Sequence, residues 1–299
     1  LAFAKAHTER TGANFDALEA ALPNLLNAMD RYRTEKRWRE LVEFTMAVRQ
    51  FLDTRGYWDE ALERFEHGIQ AAQHIADRDA QIDLRMMEGA ILHSRGAFGQ
   101  AERQFLSTQR LSEQTGSTAG MKKSLYYLGL VRSDAQEDTK ALEALRMGLN
   151  YAETQTPSDW VYMLVTRQQI AKCHINLHEY DEADEQLNRC LNIHSQHGVD
   201  DYQEFTYHFL SELRMAQGSL AEAREYSERA LEIHRTFGDR RSIADTLTTL
   251  AKISLMEAQQ RIQEAREIAQ EIGYDEVLDH IRHEVMPLRP DDREAEPWS

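Results

Sequence analysis

The sequence has few of the residues that interrupt helices or cross-link a chain. Its 299 residues include five prolines, of which only Pro157 lies away from the two ends, and two cysteines, Cys173 and Cys190. Two cysteines do not make a disulfide framework, so a reducing cytoplasm is the simplest setting for this chain. Alternating runs of Val, Ile and Thr are also scarce. The composition therefore predicts a protein that is nearly all α-helical.

The sequence also lacks an excess of basic charge and long apolar runs. Its formal net charge is −16, which argues against direct binding of nucleic acid because a phosphate backbone requires a basic face. No run of about 18 apolar residues occurs, so we expect no membrane-spanning helix. The chain begins at Leu1 rather than at a methionine, and we expect it to be a fragment of a longer protein.

A repeat of about forty residues is the most prominent feature that is present. The segment GYWDEALERFEHG (56–68) is followed forty residues later by GAFGQAERQFLST (96–108). One alanine recurs through the chain at intervals of 40, 40, 42 and 40 residues, as Ala61, Ala101, Ala141, Ala183 and Ala223. A large apolar residue follows four positions later in Phe65, Phe105, Leu145 and Leu187, whereas Ser227 is an exception. A small residue follows at position +7, and offsets of 0, +4 and +7 lie on one helical face.

The segment before each alanine repeats as well. Twelve residues before it stands a small residue, which is Gly89, Gly129, Ala171 or Ser211. Seven residues later comes the predicted turn, at Gly96, Gln136, His178 and Gly218, with Gly56 as the first of this series. Glycine suits the left-handed cap at the end of a helix. Each unit is thus helix A, a short turn, helix B and a break, and such hairpins stack because none can bury its apolar face alone.

This arrangement of small residue, turn, alanine and large residue resembles the tetratricopeptide repeat. The clearest copies are EGAILHSRGAFGQAERQF (88–105), AKCHINLHEYDEADEQLNRCL (171–191) and AQGSLAEAREYSERALEIH (216–234). The resemblance implies a right-handed α-α superhelix, a solenoid of helical hairpins. The period of about 40 residues exceeds the 34 of that family, and HEAT-type repeats, which have this length but not this residue pattern, are the alternative.

The predicted boundaries follow from the two series. Residues 1–39 would form N-terminal helices at a junction, and residues 40–273 would form the repeats. The individual repeats are predicted at 40–78, 79–116, 117–157, 158–198, 199–238 and 239–273. A capping helix is predicted at 274–288, followed by a disordered acidic tail at 289–299.

The last repeat departs from the pattern. Ala251 occupies the small position of helix A, but Ala258 and Ala265 show the seven-residue spacing of helix B too early. The shortfall is about five residues when it is measured against the other repeats. Either the turn between the two helices is shortened, or residues are absent near 255–260.

The N-terminal stretch carries a second resemblance. The segments LEAALPNLLNAMDRY (18–32) and KRWRELVEFTMAVRQFLDTRGYWDEALERFEHGI (36–69) are similar to the junction in STAND or NB-ARC-type signalling ATPases. In those proteins a winged-helix segment is followed by a tetratricopeptide sensor. The resemblance implies that this array senses a ligand or protein, and that the full-length protein has an upstream nucleotide-binding domain.

Motifs for chemistry are not evident. GSTAGMKKS (116–124) fails the P-loop spacing because Met121 stands where the lysine is required, so we expect a turn between repeats there. His174 and His178 have the four-residue spacing of paired metal ligands, but the glutamate of H-E-x-x-H is absent and His178 falls in a predicted turn. We predict no catalytic residues, no metal and no cofactor.

The resemblance also implies a binding surface, because A helices line the concave face of a tetratricopeptide array. The residues at the inward positions are Met86, Ala90, His93, Lys123, Tyr126, Leu130, Gln168, Lys172, Phe205, His208 and Glu212. This mixture of aromatic, thioether and single charged groups suits a protein or peptide segment. Only two of these residues are basic, so a clamp for a peptide carboxylate is not expected.

We therefore predict a non-enzymatic protein- or peptide-binding repeat domain, which would be the ligand-sensing or partner-binding part of a larger STAND-type regulator. One alternative is a free-standing tetratricopeptide scaffold or peptide-responsive regulator. Another is an accessory region of a fused enzyme.

Overall fold

A computed structural model describes residues 15–197 and 202–281, and all regular structure in these residues is helical. The predicted all-α fold is confirmed. Predictions for residues 1–14, for Gly198 and for the segment 282–299, which includes the acidic tail, lie outside the described residues. None of the helices in the described part of the chain is both long and apolar enough to cross a membrane.

Within residues 15–197 and 202–281, neighbouring helices are joined by short turns. In this part of the chain two helices, α1 and α2, precede five hairpins, and two helices follow them. In chain order they are α1 (Phe15–Ala20), α2 (Leu22–Thr34), α3 (Trp38–Thr54), α4 (Trp58–His74), α5 (Arg78–Ser94), α6 (Phe98–Thr115), α7 (Thr118–Asp134), α8 (Asp138–Gln155), α9 (Trp160–Asn176), α10 (Tyr180–His197), α11 (Gln203–Ala216), α12 (Leu220–Phe237), α13 (Arg240–Ile272) and α14 (Asp275–His280).

The chain divides into two compact units, Leu1–Ile193 and His194–Ser299. In the first unit each helix from α2 to α8 packs against the next one, and the A helices α3, α5, α7 and α9 also contact one another in that order. In the second unit α11 packs on α12, α12 on α13, and α13 on α14. The predicted stack of hairpins is thus present in the first unit, where the A helices form one continuous layer.

The small and large positions meet where helix A crosses helix B. Phe105 is fully buried, and a β-carbon placed on Gly89 would lie 2.5 Å from its ring. In the next hairpin a β-carbon on Gly129 would lie 2.4 Å from Cγ of Leu145. The two helices approach closely only because one side of each contact has no side chain.

The exceptional Ser227 has a structural explanation. Its partner position in helix A is Ser211, whose Oγ donates to the carbonyl oxygen of Ala223 at 2.8 Å. The hydroxyl oxygens of Ser211 and Ser227 lie 2.7 Å apart. A buried hydrogen bond therefore replaces the contact between small and large apolar residues in this hairpin, and it satisfies both hydroxyl groups.

The predicted left-handed turns are confirmed. The turn residues Gly56, Gly96, Gln136, His178 and Gly218 all have positive φ, between 61° and 79°. At Gln136 and His178 the hairpin imposes this conformation on residues that carry a β-carbon. Gly116 also ends its helix in this region, and the side chain of Ser117 then caps α7 by accepting from the backbone N–H of Gly120. The turn between the repeats is thus confined to Gly116 and Ser117, and residues 118–124, which were predicted to lie in that turn, form the start of α7.

The sixth repeat does not form the predicted hairpin. Residues 240–272 form a single helix of 33 residues, so the expected turn near 255–260 is replaced by continuous helix. Without a folded-back helix B, Ala251 is exposed, whereas the equivalent Gly89, Gly129, Ala171 and Ser211 are buried. The shortfall of residues between the two halves removed the turn rather than tightening it.

Candidate functional site

The candidate binding surface of the first unit lies on its A helices and is called the A face. It comprises Ala90 and His93 on α5, Lys123, Tyr126 and Leu130 on α7, and Lys172 on α9. Lys123 is exposed, and the other five are half-buried. Their surface is thus available on three consecutive helices that pack against one another.

Two predicted residues offer almost no surface. Met86 is 7% exposed and packs in a core cluster with Leu92, Ala101 and Phe105. Gln168 is 2% exposed. Both side chains face neighbouring helices, so they can shape the A face but can hardly contact a partner there.

Asp134, which the inward positions did not include, joins three A helices. It ends α7, and its carboxylate lies between His93 of α5 and Lys172 of α9. His93 Nε2 lies 2.7 Å from Oδ2, and Lys172 Nζ donates to Oδ1 at 2.9 Å. The hydrogen bond from His93 and the neighbouring Lys172 lower the pKa of Asp134 to about 2. His93 and Lys172 are therefore already engaged with Asp134 within the array before any partner binds.

Aromatic rings fill the A face beside Lys123. The ring centroid of Tyr126 lies 5.6 Å from that of Tyr127 and 6.4 Å from that of Tyr162 on α9. The hydroxyl of Tyr162 donates to the carbonyl oxygen of Lys122 at 2.9 Å. Burial raises the pKa of Tyr162, so the hydroxyl stays neutral and remains a donor. These contacts hold the half-buried ring of Tyr126 in place between α7 and α9.

The second unit carries the three remaining predicted residues, Phe205, His208 and Glu212, which are half-buried on α11. His208 Nε2 lies 3.4 Å from Oε1 of Glu212, one helical turn further on. The ring of His208 also packs at 5.4 Å against Phe209, which is buried. This unit thus presents its own small patch of aromatic and charged groups.

The histidine pair does not converge on a common point. His174 is 2% exposed, with Nδ1 lying 2.6 Å from Oε2 of Glu179. His178 lies in the turn, where Nδ1 is 2.9 Å from the hydroxyl of Tyr180. Within residues 15–197 and 202–281 no group of three or more His, Cys, Asp or Glu side chains is arranged to hold a metal ion.

A polar hollow lies on the other side of the stack, between the B helices α4 and α6 with α5 beneath it. Its volume is about 320 Å³, and its lining residues are Glu66, Ile69, Gln70, Gln73, Arg85, Glu88 and Gln104. Arg85 donates to Oε1 of Gln104 at 3.1 Å, and Gln104 donates to Oε1 of Glu88 at 2.9 Å. Burial raises the pKa of Glu88 to about 7. The repeat pattern could not predict this carboxyl group, because the glutamate occurs in one repeat only.

Comparison with known proteins identifies the architecture. Residues 202–272 match the tetratricopeptide repeat family. Across the longer span, a STAND protein with a tetratricopeptide repeat sensor from Pyrococcus horikoshii superposes with a TM-score of 0.60 at 13% identity, and the match covers 89% of this chain and 43% of that one. The chain has a tetratricopeptide-repeat fold. It spans less than half the length of the STAND protein.

Two further tetratricopeptide-type structures agree with this fold. A putative kinesin light chain with nearly identical repeats from Podosopora anserina has a TM-score of 0.54 at 16% identity, covering 68% of this chain and 97% of that one. A Rap protein complexed with Competence and Sporulation Factor has a TM-score of 0.52 at 14% identity, covering 82% and 74%. No curated protein sequence matches the chain. At these identities the tetratricopeptide architecture is what the likeness shows.

The bridge at Asp134 makes the stability of the tetratricopeptide stack sensitive to acid. A lowered pKa means that the carboxylate contributes stability above its unfolded pKa of 3.8, and that this contribution is lost as the pH falls towards 2. We expect Asp134→Asn to cost about 1 kcal/mol at pH 6, after allowance for solvent screening, and about a third of that near pH 2.5. Urea unfolding at both pH values measures the difference. The exposed Asp181→Asn is the matched control, and an equal cost of Asp134→Asn at both pH values would contradict the bridge.

Glu88 gives a pH dependence of opposite sign. Because its folded pKa is raised, its contribution to stability is present at low pH and is lost as the pH rises through about 7. We expect Glu88→Gln to raise the free energy of unfolding by about 1–2 kcal/mol at pH 8 and to change it little at pH 5. Chemical denaturation at the two pH values tests this. Glu66→Gln, an exposed change in the lining of the same hollow, should have little effect at either pH, and a destabilised Glu88→Gln at pH 8 would refute the assignment.

Proposed function

We propose that this tetratricopeptide array is a non-enzymatic recognition domain that binds a protein or peptide segment on its A face. The single observation that carries the proposal is the composition of this surface. It combines the half-buried ring of Tyr126, the apolar side chains of Ala90 and Leu130, and the exposed cation of Lys123 on helices fixed by the Asp134 bridge.

The physical argument is one of pre-organisation. A partner that binds a rigid aromatic and aliphatic surface gains contact area without the entropic cost of ordering it, and the exposed cation of Lys123 adds orientation. The bridge from Asp134 to His93 and Lys172 keeps α5, α7 and α9 in register. An extended or helical segment laid across these helices would meet the rings first, with Lys123 beside them.

We further propose that the array is the sensor region of a larger STAND-type regulator. The structural match to a STAND protein with a tetratricopeptide sensor, which covers 89% of this chain, supports this proposal. The junction-like sequence at residues 18–69 supports it as well. A free-standing peptide-responsive regulator is the second candidate, and the likeness to a Rap protein solved with Competence and Sporulation Factor favours it. An upstream P-loop in the same reading frame would support the first candidate, and a start codon a few residues before Leu1 would support the second.

Binding on the A face predicts that substitutions on this surface lower the affinity for a peptide. Random peptides displayed on phage are selected for binding to the immobilised full chain, and the affinities of the selected peptides are then measured for the original chain and for variants. We expect Lys123→Glu and Tyr126→Ala each to weaken binding about tenfold or more, which corresponds to 1.4 kcal/mol. Met147→Glu, at an exposed position on the B helix α8, should bind like the original chain.

Circular dichroism shows whether each variant is folded. Peptides that bind Lys123→Glu, Tyr126→Ala and the original chain equally well would contradict the assignment of the surface.

A further inference from the structure

The long helix α13 has an apolar stripe that differs from the face packed on α12. Contacts with α12 involve Ile253, which is fully buried, and Glu257, which accepts from Arg224 at 2.8 Å. A different face carries the stripe, whose residues are separated alternately by three and four positions: Thr248, Ala251, Leu255, Ala258, Ile262 and Ala265. Such spacing forms a straight seam along one side of a helix.

This stripe is accessible in its N-terminal half, whereas the next position along the same face, Ala269, is only 2% exposed. Ala251 is exposed and Leu255 is 60% exposed, whereas Ala258, Ile262 and Ala265 are half-buried. Leu247 and Ile268, which flank the stripe, are 45% and 51% exposed. By contrast, the alanines that begin helix B in the five hairpins are fully buried, at 0% exposure.

The C-terminal half of the stripe is the residue pattern of a helix B. Ala258, Ile262 and Ala265 have the same offsets as Ala101, Phe105 and Thr108 of α6. The match to the tetratricopeptide family also continues to residue 272, the last residue of α13. In the hairpins, the large residue of helix B packs on the small residue of helix A, and the corresponding small residue here is Ala251. Twelve residues separate Gly89 from Ala101, but only seven separate Ala251 from Ala258.

Because α13 is one continuous helix, its two halves cannot fold back on each other, although they carry complementary patterns. We propose that a second copy of this chain supplies the missing partner, with the two α13 helices packed antiparallel. In this register Ala251 of one copy faces Ile262 of the second copy, and Leu255 faces Ala258. The flanking Leu247 and Ile268 also come together.

This pairing reproduces the contact within a hairpin. A small residue of helix A lies against a large residue of helix B, as Gly89 lies against Phe105. The first half of each α13 packs as a helix A on the second half of the other α13, which packs as a helix B. One two-fold symmetric contact therefore covers both stripes. Loss of a turn is a common physical route to such an exchange, because the segment keeps its packing preference but cannot return to its own chain.

Antiparallel packing is also the orientation in which helix A meets helix B within each hairpin. The dimer would carry two A faces, so a partner with two binding segments would be held more tightly than one with a single segment.

Cross-linking tests the register. A mixture of the Leu255→Cys and Ala258→Cys chains should form a disulfide-linked dimer on mild oxidation, and either chain alone should form several-fold less, because identical residues lie about a helical turn apart. A mixture of Leu255→Cys with Gln260→Cys, which lies on the opposite face, is the control. The native Cys173 and Cys190 are buried, and burial raises the pKa of each to about 12, so they stay unreactive. Equal cross-linking in the two mixtures would overturn the register.

Sedimentation of the full chain tests the exchange itself. The original chain and Gln260→Glu should have twice the 34.7 kDa chain mass, and Ala251→Glu should be monomeric. Insertion of about five residues with a glycine after Ser254 should restore a hairpin and give a folded monomer. A 34.7 kDa species for the original chain at every concentration, or a dimer that persists after the insertion, would overturn the proposal.

Discussion

Phe105→Ala is expected to lower the free energy of unfolding of the first unit by about 3–5 kcal/mol. The Phe105 side chain is fully buried, and its ring fills the space above Gly89 and packs at 5.2 Å against the ring of Tyr127 in the next hairpin. Truncation to alanine leaves a cavity between α5 and α6, which adds to the lost burial of the ring. The truncation therefore removes a contact within one hairpin and a contact between two.

Urea unfolding followed by circular dichroism measures this effect. The control is Met147→Ala, whose side chain is 56% exposed on α8 and should change the free energy of unfolding by less than about 0.5 kcal/mol. A cost for Phe105→Ala that is no larger than that of Met147→Ala would show that the large position of the repeat is not a packing position.

Gly129→Ala should destabilise the chain by about 1–3 kcal/mol through overpacking. Alanine is the better helix former by about 1 kcal/mol, so helix propensity alone predicts the opposite sign. The new β-carbon would lie 2.4 Å from Cγ and 2.5 Å from Cδ2 of Leu145, and neither helix can yield without opening the hairpin. Steric exclusion therefore outweighs propensity at this position.

Two comparisons separate these effects. Gly99→Ala introduces a methyl group on α6 with nothing within 4 Å, so it should be neutral or slightly stabilising. In a Leu145→Ala background, Gly129→Ala should no longer destabilise, because the obstructing side chain is gone. A destabilisation of Gly129→Ala that persists in this background would refute the proposed contact between the two positions.

Much of the fold was predictable because its determinants are periodic. Buried alanines such as Ala61 and Ala101 recur at a fixed spacing, and the turn residues follow the small residues by seven positions. These features repeat because each hairpin solves the same packing problem. The hydrogen bond between Ser211 and Ser227 was not predictable from that pattern, since it replaces apolar packing with a polar pair. The sequence indicated the irregularity of α13 only by the short spacing between Ala251 and Ala258. That spacing suggested either a shortened turn or absent residues, and not a continuous helix.

The candidate site was less predictable than the fold. Positional analogy identifies which residues point towards one side of a helix, but it does not reveal how far a neighbouring helix covers them. Met86 and Gln168 are buried for this reason. Asp134 was missed because it lies beyond the inward positions, although it links His93 to Lys172. Its role arises from three repeats together and is absent from any one of them.

Hydrogen exchange of the full chain with and without a selected peptide is the most direct test of recognition by the A face. The account predicts that added protection falls on α5, α7 and α9, around Ala90, Tyr126 and Lys172, and that Lys123→Glu removes it. Protection confined to the B helices α6, α8 and α10, or unaffected by Lys123→Glu, would contradict the central claim.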